Sequence, residues 1–377
     1  MRAGCLYRKI TGIAGAVLGW GLSVGGAAEA TRSVPVIYCT DLFHPHDDPD
    51  DHFDLATLYA MPELDIKAVV LDQGRKQLER PGRIPVSQMN KLTGRNVPAA
   101  IGLADPLKSP KDKALDQPAQ FQGAVGLIVE TLRASRRPVC IATAGSVRDV
   151  VCALNREPRL FRKKVAMVLA FIGEASDTGF QEYNVGLDPQ AFIGLMRSGL
   201  PVYWVPCFDG GLWQNRGHAS FWRASQQTLL QGAIPELNQY FIYALAKETA
   251  EPLAFLSRPI ESERQARLFA GTRNLWCAAV LGVMSGREVL FDGSKWTSVL
   301  PHHGWSGPAA RWKPLFGFSE VQVSVNDTGV VSYGKRPGSH KVRRFEVRDS
   351  AQYEQGMVAA TAALLSSLGH KGDQGAR

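Results

Sequence analysis

Cysteine is scarce in this 377-residue chain, six residues in all, and no two of them stand at CxxC or other zinc-ligating spacing. That excludes a small disulfide-stapled fold and a zinc ribbon or finger. Past the first thirty residues no run is apolar enough to cross a bilayer, which takes about 20 such residues. No Gly-x-Gly-x-x-Gly or P-loop follows any predicted strand, which argues against a nucleotide-phosphate cofactor. Internal repeats, low-complexity tracts and extended runs of Lys and Arg are missing as well. The formal charge of +8 is spread along the chain and reads as solubility, with no nucleic acid among the expected partners.

The first thirty residues read as a leader. Arg2, Arg8 and Lys9 open it, residues 10–26 are apolar and rich in Gly and Ala, and Ala28-Glu29-Ala30 closes it in a small-x-small pattern. That is the signature of a cleaved export signal. The expected organisation is therefore a signal peptide over 1–30 and one domain over 31–377, secreted or periplasmic, with no membrane contact after cleavage. Residues 31–377 carry 40 basic and 34 acidic residues, a balance of +6. They also carry five cysteines, Cys39, Cys140, Cys152, Cys207 and Cys277, scattered through apolar runs. An odd, unpatterned set of this kind predicts free buried thiols.

Short β-rich runs alternate with amphipathic stretches through the first two thirds of the chain. Buried strands are predicted over 34–38, 66–71, 97–101, 139–143, 164–171 and 202–205, with helices over 53–60, 121–134, 147–154 and 190–197 between them. This rhythm predicts an α/β fold: a mostly parallel open sheet with helices on both faces, in a single domain. Later, helices are predicted over 219–230, 236–247 and 261–283. Short strands follow over 321–325, 330–332 and 343–347, and a closing helix over 351–368. In such sheets ligands bind beyond the carboxyl ends of the strands, so polar residues just after a strand carry the information.

After the first strand comes Cys39-Thr40-Asp41-Leu42-Phe43-His44-Pro45-His46-Asp47-Asp48-Pro49-Asp50-Asp51-His52-Phe53-Asp54, with six carboxylates between positions 41 and 54. Their mutual repulsion is costly unless a cation answers it, and carboxylates are hard ligands suited to calcium or magnesium. The three histidines are too irregularly spaced for a zinc or iron set. Helix capping accounts for one or two of these acids, Asp47 or Asp50, and leaves the rest for a metal site.

This stretch resembles the nucleoside hydrolases, which open with a strand, an Asp-x-Asp-x-x-x-Asp-Asp loop, and a helix ending near Pro-Glu. Here Asp50-Asp51 runs through Met61 to Pro62-Glu63 and a second strand with the same spacing. Two departures stand out: Cys39 replaces the first Asp, and five extra residues lengthen the loop between Asp41 and Asp50. Thr143-Ala144-Gly145 resembles the family's Thr-x-Gly turn. Gln181-Glu182-Tyr183-Asn184-Val185-Gly186-Leu187-Asp188-Pro189-Gln190-Ala191 resembles its Glu-Phe-Asn-x-x-x-Asp-Pro-x-Ala, with Asp188 expected to cap a helix that Pro189 opens.

The resemblance implies a Ca2+ site made by Asp41, Asp51, the carbonyl of Thr143 and Asn274, with Asp41 also the catalytic base. It implies that Glu182, Asn184 and Asp50 bind the substrate, a nucleoside or other N-riboside, and that the protein forms homo-oligomers. Asn274 would replace the family's third carboxylate, and Arg273 its leaving-group His, in Arg273-Asn274-Leu275-Trp276-Cys277-Ala278-Ala279. Arginine stays protonated at neutral pH and cannot act as a general acid. His302-His303 lie on a loop that could reach the site, and exposed loop histidines are the other reading. The alternative function is a binder of metal or sugar on the same fold without catalysis.

Overall fold

The structure is a computed structural model and describes residues 33–300 and 313–369. The leader and His302-His303 lie outside the described residues. Strand β1 (Val34–Thr40) leads through the acidic loop into helix α1 (Asp50–Tyr59), then β2 (Leu64–Leu71), α2 (Gly74–Glu79), α3 (Arg83–Thr93) and β3 (Ala99–Ile101). Next come α4 (Gly123–Ala134), β4 (Val139–Ala144), α5 (Arg148–Arg156), α6 (Pro158–Lys164) and β5 (Val165–Phe171). The short α7 (Tyr183–Leu187) and α8 (Pro189–Met196) precede β6 (Val202–Val205).

These six strands form the parallel part of a nine-stranded sheet, joined at one edge by three late strands: β12 (Phe316–Val325), β13 (Val331–Tyr333) and β14 (His340–Val347). The order is β13-β12-β14-β6-β5-β4-β1-β2-β3, with β14 parallel to β6 and β12 antiparallel to β14. The chain runs outward from β1 in both directions, so the order reverses between β1 and β4. A crevice at the carboxyl ends of the strands opens at that switch point.

Strand residues alternate between two cores because successive side chains face opposite sides of a sheet. Val36 and Tyr38 point into one, shared with α1, α10 (Pro235–Leu245) and α13 (Tyr353–Ser367). Ile37 and Cys39 point into the other, shared with α4, α5 and α8. Helix α1 is buried along almost its whole length, which its mixed, weakly amphipathic sequence already allows. All five cysteines of the described chain are free and buried. Among the described residues no helix is long and apolar enough to cross a membrane.

The late region departs from expectation. The helix predicted over 261–283 is three elements: α12 (Ser262–Ala270), strand β8 (Thr272–Leu275) and a 3-10 segment, Ala278–Ser285. The helix predicted over 219–230 is strand β7 (Trp222–Ser225) and then α9 (Gln226–Leu230). β7 and β8 pair antiparallel, so a long-range ladder overrides a locally helical pattern at both places. Three further short strands, β9 (Glu288–Phe291), β10 (Trp296–Val299) and β11 (Lys313–Pro314), make a separate sheet, and α11 (Pro252–Phe255) is a single turn.

Candidate active site

A cavity of about 510 Å³ lies at the switch point. Its floor is acidic because β1 ends at Thr40 and releases Asp41, while α1 begins at Asp50 and Asp51. Asp51 is buried and accepts a 2.6 Å hydrogen bond from Thr40 Oγ1. Asp41 and Asp50 are half-buried and meet solvent through the cavity. The Asp41 peptide N–H donates to Ala144 O at 3.2 Å, and its Oδ2 accepts from Gln73 Nε2 at 3.2 Å. A Cβ at Gly145 would come to 3.0 Å from Asp72 Oδ2 and 3.6 Å from Asp41 Oδ1, a tight approach that would make the Asp72 carboxylate shift.

The carboxylates repel one another. Burial first, then Asp72 and Glu182, push Asp41 up to about 8. Burial also raises Asp51 well above the carboxylate range, with Asp41 and Asp50 adding to it, and burial with Asp48 and Asp54 does the same to Asp50. Asp47 is answered by Lys76 and Arg80, and Asp48 by Arg273. No salt bridge answers Asp41, Asp50 or Asp51 among the described residues, and no side-chain hydrogen bond caps α1.

Glu182 and Asn184 reach the same cavity from the N-terminus of α7. Glu182 is buried and accepts three peptide N–H groups, from Gly173 at 2.8 Å, Asn184 at 2.9 Å and Val185 at 3.2 Å. Burial raises its pKa while those three bonds oppose the rise. Asn184 Oδ1 is buried without a partner, an acceptor left free beside the cavity.

Asp188 caps α8 through Ala191 N at 2.9 Å, the role its Asp-Pro pair predicts. Thr143 is among the residues around a small neighbouring cavity that Asp72 and Asp149 also line, and Ala144 of the same turn lines the main cavity.

Asn274 does not join the others. It sits on β8, where its Oδ1 accepts from Arg223 Nε at 2.8 Å, outside the cavity lining. Arg273 faces another cavity and donates to Gln226 Oε1 at 2.9 Å. The residues that line the main cavity from this segment are Trp276 and Cys277, three positions later. The cause is the β8 ladder, together with Asp54 Oδ1, which accepts Ala278 N at 2.8 Å and fixes the segment against α1. The expected His-Asp pair is thus answered by Trp-Cys, directly before the small residues Ala278-Ala279.

One wall is aromatic, and the sequence reading missed it. Phe208, Trp213 and Trp276 line the cavity, with ring centroids 5.5 Å apart for Phe208–Trp213, 5.8 Å for Phe208–Trp276 and 6.1 Å for Trp213–Trp276. Trp276 Nε1 donates to Cys207 O at 3.1 Å. Gly210 and Gly211 take positive φ, and their N–H groups donate to Glu174 Oε1, which holds the loop carrying Trp213 over the site. A signal was present: Phe208-Asp209-Gly210-Gly211-Leu212-Trp213 follows β6 after two residues, an aromatic, glycine-rich turn near a strand's carboxyl end.

Among the described residues no three His, Cys, Asp or Glu side chains are grouped closely enough to hold an ion as they stand. The donor chemistry does fit one: three carboxylates without a salt bridge face a single cavity, all three with raised pKa values, and Asp41 helps to raise the other two. Hard oxygen ligands of that charge suit a divalent cation of the calcium or magnesium type.

Fold and cavity together define an α/β protein with a small-molecule site, acidic on its floor and aromatic on one wall. Residues 40–255 match the inosine-uridine preferring nucleoside hydrolase family, and the chain belongs to it. The pyrimidine-specific ribonucleoside hydrolase RihA of Citrobacter koseri is 32% identical over 189 residues, which cover 45% of this chain and 59% of the relative. The match therefore spans about three fifths of that relative's length.

Among solved structures, the plant nucleoside hydrolase PpNRh1 aligns with a TM-score of 0.51 at 15% identity, over 89% of this chain and 98% of that one. The effector protein XOO4466 aligns at 0.50 and 16% identity, over 89% and 94%. Likeness at this level speaks for the fold, and one fold hosts several functions.

Proposed function

We propose that the protein hydrolyses the N-glycosidic bond of a ribonucleoside or related N-riboside with the help of Ca2+, releasing base and sugar. The observation that carries this reading is the convergence of Asp41, Asp50, Asp51, Glu182 and Asn184 on one aromatic-walled cavity. Family membership and the printed activity of RihA support the same reaction.

Cleavage of a bond to ribose passes through an oxocarbenium-like state and needs a water, a base for it, and groups that hold the sugar. Asp41 is the base: its carboxylate stands half-buried on the cavity floor, ionised when a cation answers its charge, and can accept a proton from water. Asp41 and Asp51 would hold the cation, with the Thr143 carbonyl as a further donor. When bound, the cation supplies positive charge that makes a nearby water more acidic. Glu182 and Asn184 bind the ribose hydroxyls, Glu182 held rigid by its three N–H bonds and Asn184 offering its free Oδ1. Asp50, on the same cavity, also binds the sugar. Phe208, Trp213 and Trp276 take the flat face of the base by stacking and exclude water from the scissile bond.

The protein is proposed to act outside the cytoplasm after removal of the leader, as a homo-oligomer. The test is ribose release from a panel of nucleosides by residues 31–377, stripped with chelator and assayed with and without calcium. Calcium-dependent release supports the hydrolase. A second reading, a metal or sugar binder without chemistry, is favoured by Trp276 and Cys277, because neither offers a cavity carboxylate and the buried thiol, its pKa raised, is a poor acid for the leaving base. Calcium and ribose bound with no release from any nucleoside would select it.

The thiol gives a further test. Cys277 is buried, and burial together with Asp54 raises its pKa, so it stays a neutral thiol facing three carboxylates. Cys277→Asp adds a hard, charged ligand at that place and is expected to tighten calcium binding at least ~10-fold, because site affinity follows ligand charge. Competition with a chelating dye measures it, and unchanged affinity would place the cation elsewhere.

A further inference from the structure

A second cavity, of about 600 Å³, lies on the far side of the acidic loop. Its apolar surface comes from Ile242, Leu245 and Ala246 at the end of α10 and from Leu268 on α12, while Arg264, Arg267, Arg273 and His46 bring polar groups to it. The lining carries three arginines against one carboxylate, Glu248, a formal balance of +2 with His46 neutral. Arg264 is held by Glu248 and Glu261. Arg267 is answered only by exposed Glu263 one turn earlier, and Arg273 meets Asp48 at 3.5 Å. The Arg267 pair is exposed and the Arg273–Asp48 contact is long, so both guanidinium groups can turn to a better acceptor at little cost.

Two buried polar groups here have no partner. His46 is 9% exposed, and neither ring nitrogen makes a hydrogen bond. Arg273 Nε, a guanidinium donor, is also buried and unpaired, although Arg273 Nη2 bonds Gln226. Both residues belong to the lining of this cavity, so a small side-chain rotation would bring these unsatisfied nitrogens to an acceptor held in it.

We propose that this cavity is a second binding site for a small organic anion. The phosphate or carboxylate would meet Arg273, Arg267 and His46, and the apolar body would rest on Leu245, Ala246 and Leu268. Arginine suits the head because its planar fork matches both anions in two-point contact. The main cavity, with an acidic floor, would repel the same ligand.

Calorimetric titration of residues 31–377 with phenyl phosphate, benzoate and inorganic phosphate tests the assignment, in buffer free of other phosphate. Phenyl phosphate or benzoate should bind more tightly than inorganic phosphate, since only they use the apolar surface. Binding should weaken at least ~10-fold in Arg273→Gln and in Arg267→Glu, and be blocked in Ala246→Trp. Arg267 and Ala246 are exposed, so those two variants keep the fold, as a thermal melt would verify. Absence of binding at about 10 mM of every probe, binding that all three substitutions leave unchanged, or inorganic phosphate bound as tightly as phenyl phosphate would each overturn the proposal.

Discussion

Asp41→Ala is expected to abolish ribose release, lowering kcat at least ~10³-fold, because it removes the proton acceptor and a cation ligand in one step. Asp41→Asn separates the two roles: the amide oxygen can still ligate, weakly, while it cannot take a proton. If calcium binds to Asp41→Asn within about tenfold of the parent and turnover is still lost, Asp41 acts as the base. Turnover retained in either variant would remove Asp41 from the mechanism.

The sign of the pH effect follows from the raised pKa. A cation binds the ionised carboxylate, and in the metal-free protein Asp41 holds its proton up to about pH 8. Calcium affinity should therefore climb as the pH rises from about 6 to about 8. Isothermal titration at three pH values reads this directly, and affinity flat across the range would contradict the burial of that charge.

The second large effect concerns stability. Arg148 Nε and Asp188 Oδ2 form a 3.0 Å ion pair with side chains only 4% and 0% exposed. Arg148 also donates to Leu187 O at 3.0 Å and Leu103 O at 3.3 Å, and Asp188 accepts Leu107 N at 2.8 Å. Removing one partner leaves a buried, uncompensated charge, so Arg148→Ala should cost about 3–5 kcal/mol. Burial already raises the Asp188 pKa, with Arg148 the leading force against it, so the orphaned carboxylate would rise further. Urea unfolding measures the loss, and less than about 1 kcal/mol would mean that water reaches the pair. The same pair fixes the C-terminal end of α7, at whose N-terminus Glu182 and Asn184 sit, so sugar binding should weaken with it.

Much of the site was legible because its parts are local. Asp41, Asp50 and Asp51 belong to one loop after one strand, and Glu182 and Asn184 to one helical turn, so short stretches of sequence state them. The strands of the parallel sheet were legible for a similar reason: a buried strand is a short apolar run whatever its neighbours are. Even so, the strand predicted over 97–101 narrowed to Ala99–Ile101, and helices α2 and α3 passed unnoticed.

The α/β class, the acidic loop and the Glu-x-Asn turn are therefore written in local spacing and residue chemistry. The tertiary structure decided which late residues meet them. Asn274 and Cys277 are three positions apart, and only the β7–β8 ladder and the bond from Ala278 N to Asp54, 224 residues earlier, turn Cys277 inward and Asn274 out. The partnership of Arg148 with Asp188, 40 residues on, and the gathering of Phe208, Trp213 and Trp276 into one wall were decided the same way. Contacts across such separations depend on how the whole chain packs, and spacing along the sequence does not carry that information.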